Sequence, residues 1–288
     1  MVEIADRESA EAWLLKQSHQ TQVWFASRCA LRALPGLADW DEATKTGLTY
    51  SVLRALLIAT AVATCSNNDV VALADAAALS HRSVKTAADR AINSQFLQPR
   101  SAALATANSV AFAAASADSI ARSHQSAALS ASRACASSAL SGARLSVIGQ
   151  FSRLTGLKPA ELAAQSEKAG FIAASRDAAN STRWITLWQP EEQKTALDGS
   201  WDSLKKILQA DQLDWTFWIE WYEAILAGRP LPWELTQRIA LEVERKDWET
   251  GQGAVAKRID EIRKDFEGAP LDKEGLRHMQ NSLPKTLS

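Results

Sequence analysis

The chain has 288 residues, of which 47% are apolar and 23% charged, with a formal net charge of −1. That balance excludes an intrinsically disordered polymer. It also leaves no global field to draw the chain to nucleic acid or an anionic membrane, so only a local basic patch would do that.

The first residues, Met1 to Asp6, lack a basic stretch followed by an apolar one, so no secretory signal is expected. Cys29, Cys65 and Cys135 are odd in number, widely spaced and set in apolar helical patterns. They fit reduced, buried thiols, and the expected location is cytoplasmic. An early helix pair is predicted over residues 8–16 and 20–34, broken at Pro35-Gly36. Arg28, Arg32 and Arg54 lie on apolar helices, and a buried arginine needs a carboxylate partner. Asp39, Asp41 or Glu42 in the following loop is the predicted source, which makes the set an internal ion-pair network; an anion-binding pocket is the alternative. The third helix, about 46–65, is apolar on nearly every side and should be central. Arg54 and several hydroxyl side chains within it argue for a core helix over a membrane span, so no membrane partner is expected.

Residues 73–85 are similar to the helix-turn-helix of bacterial regulators. Leu73 and Ala74 would pack the first helix, Leu79 would plug the turn, Ser80 would cap a recognition helix and Val84 would face inward. His81, Arg82 and Lys85 would then meet the major groove and phosphates. Ala78 stands where glycine is usual, and no wing follows. A DNA-binding regulator using residues 70–97 is therefore an alternative reading.

From Val70 to Ser152 alanine and serine dominate. Four blocks of eleven align from Ser109, so that Arg122, Arg133 and Arg144 recur, as do Leu129, Leu140 and Phe151, and Ser130, Ser141 and Ser152. Eleven residues make three helical turns, and each set forms a nearly straight stripe. A long helix is predicted, about 60 Å if uninterrupted, or a hairpin, with Gly142 and Gly149 as its weak points. Its alanine faces would let neighbouring helices approach closely.

Beyond Gly156 tryptophan takes over, with eight of the eleven between Trp184 and Trp248. Asp214 can cap a helix carrying Trp215, Trp218, Trp221, Tyr222, Ile225 and Leu226 on one face. Gly228 would end it and Pro232 would open the next, with Trp233 at its start and Leu235, Ile239 and Val243 on one side. A last amphipathic stretch presents Val255, Ile259, Ile262 and Phe266. So wide an aromatic band is either the core of a small helical subdomain or, in part, a docking surface, since such rings anchor interfaces. Trp215, Trp218, Trp221, Tyr222 and Trp233 are the candidate partner-binding residues.

The run Phe217-Trp218-Ile219-Glu220-Trp221-Tyr222, followed by Leu226 to Leu231, Trp233, Ile239-Ala240-Leu241 and Trp248-Glu249, resembles an ending shared by many uncharacterised proteobacterial proteins. Their beginnings carry something similar to residues 27–35, followed by an alanine-rich helical middle, so the likeness spans most of the chain. It brings no activity to transfer. In such proteins the ending looks like a module beside variable neighbours, which favours an interaction role.

Four histidines (His19, His81, His124, His278) are scattered, without metal-ligand spacing, and no nucleophile-elbow, phosphate-loop or zinc-protease motif occurs. No cofactor or metal is expected, and catalysis would need distant groups to converge. The expected architecture is all-α: an alanine-rich helical domain over 1–155, a tryptophan-rich helical subdomain over 156–267 and a loose tail over 268–288. The expected role is a non-enzymatic interaction or accessory protein binding a protein partner or itself. An accessory component of a bacterial defence or toxin-type system is a further alternative, by analogy alone.

Overall fold

A computed structural model describes residues 3–40, 43, 47–65, 69–93, 101–119, 124–147, 159–180, 186–187 and 200–268. These residues form twelve α-helices and one 3-10 turn, with no strand among them. The chain is all-α, as its periodicity predicts.

Helix α1 (Arg7–Leu14) starts at a capping box. The Asp6 carboxylate accepts from the Ser9 amide at 2.8 Å, and the Ser9 hydroxyl meets the Asp6 amide at 3.1 Å. The Ser9 amide and the Ser9 hydroxyl, which also donates to Oδ1 at 2.7 Å, hold the Asp6 carboxyl below the usual range. Ser18 caps α2 (His19–Ala33), which runs into the 3-10 turn Leu34–Asp39. Helix α3 (Leu48–Thr64) follows, then α4 (Val70–Asn93), α5 (Ser101–Asp118), α6 (His124–Val147) and α7 (Pro159–Ala179). The C-terminal helices are α8 (Ser200–Ala210), α9 (Thr216–Leu226), α10 (Trp233–Glu242), α11 (Arg245–Thr250) and α12 (Gln252–Gly268).

Helix α3 is buried on almost every side, as its composition predicts, packed among α2, α4, α5 and α10. The alanine-rich tract is a hairpin and not one rod: α5 and α6 are separate helices, and the break falls between Asp118 and His124, ahead of Gly142. Their seam repeats every seven residues. Ser109 donates to the Ala134 carbonyl at 2.8 Å and Ser116 to that of Ala127 at 3.2 Å, while Ser141 donates back to Ala102 at 3.3 Å. Each step of seven up α5 matches a step of seven down α6, an antiparallel pair with the seven-residue repeat of a coiled coil. Of the eleven-residue stripes the serine set gives the seam Ser141, but the leucine and arginine sets lie off it. Leu140 is exposed, and the guanidinium of exposed Arg133 sits 5.8 Å from the Phe112 ring centre. Short side chains win because only they let the backbones come this near.

Gly36 marks one such close approach. A methyl there would stand 2.3 Å from Thr106 Oγ1 and 2.4 Å from Ser141 Oγ, hydroxyls already bonded to each other at 2.9 Å. Helix α7 packs on α6 and α2, with Gly170 against Ala139, and so sits with the bundle although the sequence places it in the second unit. The boundary at 155/156 itself and the tail from 269 lie outside the described residues. One contiguous apolar core runs from Ile4 to Ile262 and includes the tryptophan-rich helices.

Candidate functional site

Arg28 and Arg32 stand one turn apart on α2, both buried, and face α7. Asp177 takes both: Arg28 Nε lies 3.0 Å from Oδ1 and Arg32 Nη2 lies 2.6 Å from Oδ2. Other donors are spent on the chain just after α7. Arg28 Nη2 donates to the Thr186 carbonyl at 3.1 Å, Arg32 Nε to that of Leu187 at 3.1 Å, and Arg176 Nη2 to Leu187 at 2.8 Å. Burial pushes the Arg28 guanidinium down from its ordinary value, and the Asp177 carboxylate partly opposes that shift.

The predicted internal network therefore exists, and among the described residues its carboxylate is Asp177. Asp39 accepts instead from the Ala102 amide at 3.3 Å, and Asp41 and Glu42 lie outside the described residues. Arg54 is not a member. Its guanidinium lies 4.6 Å from the Trp248 ring centre, a cation–π contact between α3 and α11. No local signal marks Asp177, one acidic residue in an alanine-rich helix whose neighbours are set by packing alone.

The tryptophan band turns inward, which corrects the reading of these rings as a docking surface. Trp215, Trp218, Trp221 and Tyr222 are at most 3% exposed, and Trp233 is half-buried at the start of α10. Trp218 meets Trp221 edge-on at 6.3 Å and Trp248 at 6.5 Å. Trp215 Nε1 donates to Asp211 Oδ2 at 2.8 Å, and Tyr222 donates across to the Leu31 carbonyl of α2 at 3.0 Å. Burial drives the Tyr222 phenol far above its ordinary value, which keeps it a donor. Gly228 ends α9 at φ +68°, as the sequence predicts; Asp214 accepts from the Thr216 amide at 2.9 Å, but the N-cap position is Trp215, whose side chain caps nothing. These rings are the core that ties the C-terminal helices to the bundle.

The helix-turn-helix is also corrected. Residues 70–93 form one unbroken helix with no turn at Ala78. Ser80 is buried, and its hydroxyl bonds back to the Ala76 carbonyl at 2.8 Å; it caps nothing. Leu79 is 38% exposed and does not plug a turn. His81 is half-buried, while Arg82 and Lys85 are exposed on the helix side. Burial first, then the charge of Lys85, lowers the His81 pKa. Alanine at 78, where the motif needs a flexible residue, lets the helix continue.

This leaves α4 with two faces of opposite character. Leu73, Ala77, Ser80 and Val84 are buried against α3 and α5. Opposite them Val71, Asp75, Leu79, Arg82, Thr86 and Asp89 are all exposed, Val71 by 63%. At 100° per residue these six fall within an arc of about 80°. Two aliphatic side chains about two turns apart thus share an outward stripe with a carboxylate and a guanidinium between and beside them. Residue spacing alone hides it, because a leucine at 79 suits a turn plug as well as an outward helix face.

The three cysteines are buried and outside any disulfide, as predicted. Burial and the adjacent Cys135 thiol raise Cys29 well above its ordinary value, so it is a poor nucleophile. Among the described residues no group of three metal-ligating side chains converges and no helix is long and apolar enough to cross a membrane. Comparison with protein-family models, with curated proteins and with solved structures finds no match.

Proposed function

We propose that this chain is a non-enzymatic helical interaction protein whose contact surface is the outward face of α4. The observation that carries this reading is the stripe from Val71 to Asp89, with Leu79 near its middle and its buried opposite face fixing it rigidly to the bundle. Aliphatic groups presented at i and i+8 on a stable helix are what a partner helix or groove can take, and the charges around them set register. The arginine–aspartate cluster and the tryptophan band are assigned to holding the scaffold.

Replacing Val71 and Leu79 together by glutamate tests the idea. Both are exposed, so helical content by circular dichroism should be retained. Complexes seen by light scattering, or retained on the tagged protein from its host, should be lost. Unchanged complexes in the double variant would remove α4 as the contact surface.

A further inference from the structure

We infer that the occupant of the α4 stripe is a second copy of the same stripe, docked antiparallel about a two-fold axis passing beside Leu79. This rests on the reading of α4 as the contact face and commits it to one partner.

The charge order along the helix carries the inference. Asp75 lies one turn before Leu79 and Arg82 one turn after it, all three exposed. In a two-fold arrangement a residue ahead of the axis meets one behind it. Leu79 then packs on Leu79 of the second copy, and Asp75 faces the second copy's Arg82 twice over. Val71 lies across the second copy's Thr86, an uncharged neighbour. Asp89 reaches past the point where the second copy's helix begins at Val70. Parallel docking would set Asp75 on Asp75 and Arg82 on Arg82, which like-charge repulsion disfavours. The stripe is thus self-complementary in one direction only.

The size of the contact sets its strength. One helix pair buries well below the ~1,600 Å² of a standard interface, so the dimer should be weak and concentration-dependent.

Sedimentation across a concentration series, with charge reversal at the two positions, tests the inference. The intact chain should pass from monomer to dimer as concentration rises. Asp75→Arg or Arg82→Asp alone should weaken the dimer about tenfold or more, because each creates like-charge pairs at both ends of the contact. The double reversal Asp75→Arg with Arg82→Asp should restore it. The Leu79→Cys variant should form a disulfide-linked dimer under a mild oxidant, since that position meets itself at the axis and the native cysteines are buried.

A double reversal that stays monomeric while the intact chain dimerises would overturn the inference, as would failure of the Leu79→Cys variant to cross-link under those conditions. If the intact chain remains monomeric, yet Leu79→Glu strips a different protein from it, the second copy is wrong and the contact face stands. If a dimer forms but ignores Leu79→Glu and both reversals, the face itself is wrong.

Discussion

At Asp177 two buried guanidiniums share one carboxylate. Breaking such an arrangement from one side leaves positive charge in a low-dielectric interior, which costs about 3–5 kcal/mol. Asp177→Ala should lower stability by that order in urea unfolding. Glu242→Ala removes a comparable-looking bond, 2.6 Å from Arg238, but one that is roughly a third exposed and screened by solvent, and should cost well under 1 kcal/mol. Equal losses for the two would mean that Asp177 is not the buried counter-charge the geometry makes it. The presence of a buried arginine network was legible, because arginine on an apolar helix demands a partner. Its identity was not, because Asp177 reaches α2 only through the packing of α7.

Among the elements, α4 separates local from tertiary control most clearly. Its residues match a helix-turn-helix in spacing, yet alanine at 78 adds helix propensity where a turn would need freedom, and Leu73, Ala77 and Val84 all find core partners only if the helix is continuous. Ala78→Pro distinguishes the two conformations. In a continuous helix it removes a backbone bond and clashes with the preceding turn, for a loss of about 3 kcal/mol or more; in a turn it would be nearly neutral. Near-neutral urea unfolding would reinstate the turn. The α5–α6 hairpin makes the related point about periodicity. The arginine and leucine recurrence at eleven is present in the residues, but the seam follows small hydroxyl and methyl groups at seven, since close approach rewards what is short.

At the level of the whole molecule, the tryptophan-rich helices and the bundle share one core. Tyr222 reaches the Leu31 carbonyl, Tyr50 the Trp248 carbonyl at 3.3 Å, and Arg54 lies on the Trp248 ring. Each contact joins a C-terminal helix to α2 or α3. Unfolding followed by far-ultraviolet circular dichroism and by tryptophan fluorescence should therefore give coincident transitions. An earlier fluorescence transition would show two units that unfold independently. The same burial favours the core reading of the aromatic band: Trp215, Trp218, Trp221 and Tyr222 are already used by their own chain, while Val71 and Leu79 of α4 face outward.

Helix content, the bounds of α1 to α3 to within a residue or two and the buried character of α3 were settled by the order of residues alone. Those depend on propensity, capping and a period near 3.6, all of which act within a few turns. Which faces met which was decided by the tertiary structure. Asp177 as the carboxylate, the inward turn of the tryptophans and the outward turn of Leu79 each depend on residues distant in the chain. Burial and charge pairing are satisfied over the whole packed core, and a local pattern carries no record of that choice.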